Sequence, residues 1–97
     1  MKKKDIIRSF SDNVPAELAR MKNLTEENLP DYAIDIHTMK GASSSIGAKD
    51  LTRRAKKMED LAKSGDYPSV AALNPAFITD TETLISNINK WFEDHIG

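Results

Sequence analysis

Apolar side chains recur every three or four residues along almost the whole chain, which is the period of an amphipathic α-helix. Pro15 lies inside the first such stretch, two positions after the polar residues 11–13. Because proline suits a first helical turn and lacks a backbone N–H, we expect it either to begin a fresh turn or to kink the helix. The stretch therefore predicts one helix, with room for a short extra helical segment at the N terminus. Its apolar positions are Ile6, Ile7, Phe10, Val14, Leu18 and Met21.

The middle of the chain predicts two more helices. Residues 25–28 are a polar connection, Pro30 fits the first turn of the second helix, and Gly47 is placed to end that helix. Its buried face would carry Leu29, Tyr32, Ala33, Ile36, Met39, Ser43 and Ile46. A third helix is expected over residues 49–63, and residues 64–66 would close it. Its buried stripe would be Leu51, Ala55, Met58 and Ala62.

The last part of the chain predicts one long apolar face after a short segment without a clear pattern at residues 67–74. The pair Asn74–Pro75 is a start signal for the last helix. We expect Trp91 and Phe92 to belong to the core rather than to a ligand platform. No stretch alternates like a β-strand. The expected fold is therefore all-α, an antiparallel four-helix bundle that forms one domain over residues 1–97.

Composition narrows the class of protein. The chain has 97 residues and no cysteine, which excludes disulfides, cysteine nucleophiles and thiolate metal sites. No apolar run approaches the ~18 residues of a membrane span, so we expect a cytoplasmic protein without a membrane segment. The net charge of −1 argues against nucleic acid as a partner.

Charge is unevenly distributed along the chain. Residues 37–63 hold seven basic and three acidic side chains, whereas Lys90 is the one basic residue after residue 63. A locally basic middle segment indicates either an acidic partner or an ordinary solvated helix face.

Candidate chemistry lies on the second helix, where successive residues rotate by about 100°. If Ile36 is the centre of the buried face, His37 lies about 100° away from it, on an outward flank. Lys40 follows one turn later and slightly nearer the core. The helix therefore predicts one local patch made of Ile34, His37, Lys40, Gly41 and Ser44.

The same helix contains unusually small residues. Gly41 in a helix interior costs about 1 kcal/mol relative to alanine, and the serines at 43–45 are mediocre helix formers. Such local exceptions are often functional. A small residue one turn after His37 would let another protein approach the imidazole. For Ser43, close packing against a neighbouring helix is an equally good interpretation.

The run from His37 to Ala48, HTMKGASSSIGA, resembles the motif of histidine-containing phosphotransfer domains. That motif is a histidine, a lysine three residues later, a glycine next, a small residue two further on, and then glycine-alanine. The continuation is similar to the family's third helix and its end, with Leu51, Ala55, Met58, Glu59, Gly65 and Asp66. The resemblance covers residues 28–66 well and the flanking helices only as a pattern.

This resemblance implies a relay in which a receiver-domain aspartate phosphorylates His37, and His37 then phosphorylates another receiver's aspartate. Lys40 would balance the charge of the phosphoryl oxygens, and Ile34, Gly41 and Ser44 would dock the partner. The partners implied are response-regulator receiver domains, with a hybrid histidine kinase as a further candidate. The domain would need no cofactor, because Mg²⁺ would belong to the receiver. We expect a monomer without kinase activity of its own, since no nucleotide-binding glycine loop is present.

Other interpretations remain for the bundle. A histidine on a helix is usually an ordinary surface residue, but the motif around His37 favours the phosphoacceptor. A non-catalytic helical adaptor is the main alternative, and Ile34 would suit both functions. A metal-binding bundle would need Glu-x-x-His pairs, which His37 lacks. His95, near the end of the last helix, is expected to be structural or incidental.

Overall fold

Four α-helices account for most of residues 3–95, the part of the chain that the computed structural model describes; side chains are described for residues 5–94. The helices are α1 (Lys3–Met21), α2 (Leu29–Ser45), α3 (Lys49–Lys63) and α4 (Tyr67–His95). Each helix packs against its neighbours in sequence, and α1 also packs against α4, which closes the bundle. Residues 3–95 contain no strand. The predicted four-helix bundle is confirmed.

The α2–α3 hairpin is formed by two helix ends of the same kind. Gly47 has φ of +76°, and Gly65 after α3 has φ of +80°. In this conformation the N–H of Ala48 donates a 2.9 Å hydrogen bond to the carbonyl of Ser43. In the same way, the N–H of Asp66 donates to the carbonyl of Leu61 at 3.0 Å. These bonds satisfy carbonyls that the ended helix leaves open. Both predicted helix ends are confirmed, and so are the bounds of α3.

The core lies between all four helices, and the predicted apolar faces supply most of it. Ser43 is fully buried, at 0% exposure, which supports the packing interpretation for this serine. Burial raises the pKa of the Tyr32 hydroxyl, which donates a 2.8 Å hydrogen bond to Asn74 Oδ1. The largest fully buried apolar side chains are those of Phe77, Met21, Ile36, Met39, Met58, Val14 and Val70.

Helix α1 is continuous through Pro15, so the extra N-terminal segment that the sequence allowed is part of this helix. The polar run before the proline does not start a new turn. Instead, Asn13 Nδ2 donates to the carbonyl of Ser9 at 2.8 Å and to its hydroxyl at 3.0 Å, one turn back along the same helix. Because Pro15 is on the exposed side, its ring meets solvent rather than a neighbouring helix.

The predicted start of the last helix at Asn74–Pro75 is wrong. Helix α4 begins at Tyr67 and passes through Pro75. Asp66 caps its N terminus, accepting bonds from the N–H and hydroxyl of Ser69 at 3.2 and 2.7 Å. Asn74 is buried, and its Nδ2 donates to the Met21 carbonyl at 2.9 Å. Asparagine before proline is typical of a helix start. Here the side-chain amide of Asn74 instead joins α4 to α1 and α2.

The expected burial of the last aromatic pair is half right. Phe92 is buried, whereas Trp91 is 44% exposed. The two rings meet edge to face with centroids 5.1 Å apart, and the Arg8 guanidinium lies 4.9 Å from the Phe92 centroid. Phe92 therefore takes the core position at this end of α4, and Trp91 lies beside it at the surface.

Candidate functional site

The patch predicted on α2 exists as one surface of the bundle. Ile34 is 66% exposed, and the His37 side chain is 64% exposed. Gly41 and Ser44 are exposed as well, one and two turns after His37. Lys40 is half-buried, on the side of α2 that faces α3. The structure therefore brings together all five residues singled out from the sequence.

A buried carboxylate on α3 lies behind this surface. Glu59 is only 2% exposed, and three side chains contact it. Its Oε2 lies 2.7 Å from His37 Nδ1 and 3.1 Å from Lys63 Nζ. Its Oε1 accepts a 2.7 Å hydrogen bond from Lys40 Nζ. Glu59 thus connects the imidazole of α2 with two ammonium groups, one from each helix of the hairpin.

The charge of Glu59 follows from these contacts. The hydrogen bond from Lys40 is the main cause that lowers its pKa, to about 2, against the opposing effect of burial; Lys63 and His37 lower it further. Because the carboxyl group is ionised at neutral pH, it can only accept hydrogen bonds. Burial of a carboxylate is tolerated here because it is paired and hydrogen-bonded.

An ionised Glu59 determines which nitrogen of His37 carries the proton. Since Oε2 can only accept, Nδ1 must be the donor in their 2.7 Å contact. In the neutral ring the other nitrogen, Nε2, is then unprotonated and holds a lone pair. The arrangement therefore presents a nucleophilic Nε2 on an exposed ring whose other nitrogen is held from behind.

The surroundings of Gly41 decide between access and helix packing as the reason for its small size. A Cβ built on Gly41 meets nothing within 4 Å, so no neighbouring helix requires a glycine there. The position is also exposed. The packing interpretation fails for Gly41, and an open approach to His37 remains.

We expect Gly41→Gln to fold with a melting temperature no lower than that of the parent, because its side chain enters open space and glycine is the poorer helix former by about 1 kcal/mol. The same change should slow transfer from a receiver to His37, since bulk is added one turn from the imidazole. Gly41→Ala is the matched control, because it gives the same improvement in helix propensity while adding little bulk. A strong loss of stability in Gly41→Gln would contradict the conclusion that no neighbouring helix packs against Gly41.

The six basic residues of α3 differ in whether they already pair with a carboxylate of the bundle. Arg53 and Arg54 both pair with Asp50. Arg54 also binds Asp80 of α4 at 2.8 Å and lies 5.6 Å from the Phe77 ring centroid, so it joins α3 to α4. Of the other four, Lys63 contacts Glu59, and Lys49, Lys56 and Lys57 are exposed. Only part of the basic surface predicted from the sequence is therefore open to a partner.

Two negative findings apply to the described residues. No group of three or more His, Asp or Glu side chains is placed to hold a metal ion, and none of the helices combines the length and the hydrophobicity that a membrane span requires. The side chain of His95 lies outside the described residues, so its expected structural or incidental role stays a prediction.

Sequence reasoning missed Glu59 and Lys63 as parts of the site. A signal was present, because Glu59 follows Ala55 by four residues and precedes Ala62 by three, which places a carboxylate on the apolar stripe of α3. A charged residue on a buried stripe needs a partner. The partner could not be named from spacing, since His37 is 22 residues away along the chain.

A comparison with protein-family models matches residues 5–91 to the Hpt domain. Comparisons with curated proteins and with solved structures gave no significant match. The matched range includes all of α2 and α3 and most of α1 and α4, and it contains the five residues of the patch on α2. With its four-helix bundle and a family model that matches most of its length, this chain belongs to the Hpt domain family, whose members carry phosphoryl groups on histidine.

Proposed function

We propose that this domain is a phosphorelay intermediate, which accepts a phosphoryl group on His37 from a receiver-domain aspartate and passes it to the aspartate of a second receiver. The observation that carries the proposal is the 2.7 Å contact between His37 Nδ1 and the buried Glu59 carboxylate. It orients an exposed imidazole and leaves Nε2 free to react. A passive surface histidine has no need of such support.

The proposed step balances as a simple displacement. The Nε2 lone pair attacks the phosphorus of the aspartyl phosphate, a P–N bond forms, and the P–O bond to the aspartate breaks. The electron pair of that bond leaves with the aspartate as a carboxylate. The Nδ1 proton stays on the ring, which becomes positively charged, and the Glu59 carboxylate stabilises this charge. Transfer to the second receiver is the same displacement in reverse.

Lys40 supplies the charge that the phosphoryl oxygens need. Its ammonium group has three N–H donors and gives one to Glu59 Oε1 at 2.7 Å. The side chain is 31% exposed, so its remaining donors can serve oxygens bound to His37 Nε2. The same lysine thus helps to hold Glu59 ionised and neutralises the transferred group.

Docking uses the exposed residues around His37. Ile34 is one turn before the histidine and is the most exposed of the large apolar side chains among residues 5–94. Its burial by a receiver would contribute about 1–2 kcal/mol. On the C-terminal side of His37, Gly41 and Ser44 are small and leave room for the receiver. The exposed Lys56 and Lys57 would steer an acidic receiver surface towards this face.

The test is a two-step transfer assay. A receiver labelled on its aspartate, with the Mg²⁺ that receivers are expected to hold, should pass its label to this domain, and the purified labelled domain should pass it to a second receiver. A domain that binds the receiver in a pull-down but takes no label would be an adaptor, and the proposal would then be wrong.

We expect Lys40→Ala to slow transfer by about tenfold, even at saturating receiver, because one charge-assisted contact to the phosphoryl group is lost. The helical content measured by circular dichroism should not change. Lys57→Ala is the matched control, since it removes an exposed charge that lies outside the Glu59 contacts. It should slow only association, and only at low salt. Equal behaviour of the two variants would contradict a specific role for Lys40.

A further inference from the structure

Lys63 has a place in this site that a surface lysine at the end of a helix does not require. It follows Glu59 by four residues on α3, and the two side chains lie on the same face of the helix. Its Nζ lies 3.1 Å from Glu59 Oε2, the same oxygen that lies 2.7 Å from His37 Nδ1. Lysine and imidazole therefore share one carboxylate oxygen, while Lys40 binds the other.

Sharing this oxygen matters because a buried carboxylate acts on a histidine in two opposing ways. It orients the ring and stabilises the positive charge that develops during transfer. It also favours the protonated imidazolium before transfer, which has no lone pair on Nε2 and cannot attack phosphorus. If no cation compensates the buried carboxylate, a smaller fraction of the imidazole paired with it has the reactive lone pair on Nε2.

We propose that Lys63 is a positioning residue that keeps His37 unprotonated, by compensating the Glu59 carboxylate at the oxygen that the imidazole binds. This inference rests on the proposed function, which makes the protonation state of His37 important. The effect itself is on the imidazole ring and can be measured without a receiver. The charged groups in contact with the Glu59 carboxylate are Lys40 of α2 and Lys63 of α3, besides the imidazole. Two ammonium groups leave the cluster with a net positive charge, which disfavours a further proton on His37.

Lys63 is also free to respond once the phosphoryl group is in place. Its side chain is 64% exposed, whereas that of Lys40 is half-buried. An ammonium group on an exposed, flexible arm can turn towards new anionic oxygens at low cost. Lys63 thus compensates Glu59 before transfer and can share the added charge afterwards.

The experiment follows the His37 ring directly, by ¹⁵N–¹H correlation of the imidazole nitrogens through a pH series at low ionic strength. A His95→Gln background leaves one histidine signal to follow. Lys63→Met should raise the ratio of imidazolium to imidazole by about threefold at a fixed pH near 7, as expected for the loss of one partly exposed charge. Lys63→Arg, which keeps the charge, should titrate like the parent.

Lys57→Met is the matched control, since it removes one exposed charge from the same helix outside the Glu59 contacts. The titration curve of the His37 ring should be the same as in the parent. Transfer assays then give a second readout. Lys63→Met should transfer more slowly than the parent near pH 7, by less than threefold because the neutral fraction of the ring falls by less than the imidazolium-to-imidazole ratio rises. Its rate should recover towards the parent rate as the pH is raised and imidazolium gives way to imidazole.

An unchanged titration in Lys63→Met, or an equal shift in Lys57→Met, would overturn the role of Lys63. Neither outcome affects the proposed relay, which fails if His37 takes no phosphoryl group from a receiver or does not pass it to a second one. Conversely, a shifted titration in a protein that accepts no label would keep the electrostatic assignment and remove the relay.

Discussion

Replacing His37 by glutamine should abolish phosphoryl transfer to this domain completely. Glutamine has no ring nitrogen with a lone pair, so neither the attack on phosphorus nor the P–N bond is available to it. The fold should survive, because the His37 side chain is 64% exposed and contributes no core packing. Far-UV circular dichroism and a thermal melt should match the parent closely.

The matched control is His95→Gln, which changes the other histidine of the chain and should leave labelling at the parent level. The chemistry of the label supplies a second criterion. A phosphoramidate on histidine is labile in acid and stable in base, whereas phosphoserine and phosphothreonine are stable in acid. Label that persists in His37→Gln, or label that resists acid in the parent, would refute the assignment of His37.

The second large effect is expected from Glu59→Gln, which removes the buried charge but keeps the size of the side chain. The pKa of Glu59 is lowered from its ordinary 4.5 to about 2 in the folded protein. A carboxyl group with a lowered folded-state pKa stabilises the fold above its unfolded-state pKa, and this contribution is lost as the pH falls through the folded value. The shift corresponds to about 3 kcal/mol.

The expected result therefore has a defined pH dependence. The parent should exceed Glu59→Gln in free energy of unfolding by up to about 3 kcal/mol above pH 5, and the difference should narrow as the pH approaches 2. Urea unfolding at a series of pH values measures this. Glu82→Gln is the matched control, because Glu82 pairs with Lys22 at the surface, and exposed pairs contribute less than about 1 kcal/mol.

Transfer should decline together with stability in Glu59→Gln. Loss of a charge-assisted bond to Nδ1 and of the charge that stabilises the reacting ring should slow labelling of His37 by about tenfold or more at a pH where the variant is folded. A variant that is less stable but transfers at the parent rate would show that Glu59 supports only the bundle.

The sequence by itself determined the number of helices and the exposed surface around His37. Local patterns sufficed, because residues on one helix are related by a known rotation per residue. Ile34, His37 and Gly41 share an exposed strip for this reason, and Gly47 and Gly65 end α2 and α3 because their positive φ angles favour glycine. The motif around His37 supplied the family, as the family match then showed.

Local signals misled where a residue's partner lies far away in the chain. Asn74–Pro75 resembles a helix start, yet the buried amide of Asn74 bonds Tyr32 and Met21. Those contacts exist only when α4 packs against α1 and α2, and they hold the helix continuous through the proline. Helix packing here outweighs the cost of one missing backbone bond.

The tertiary structure alone decided how the site is charged. The approach of Glu59 to His37 depends on the register between α2 and α3, which the packing of their apolar stripes sets and which no spacing along one helix reveals. That register brings one buried carboxylate against an imidazole and two ammonium groups. The identity of the proposed phosphoacceptor is therefore local information, whereas its tautomer and electrostatic support arise from the contact between two helices.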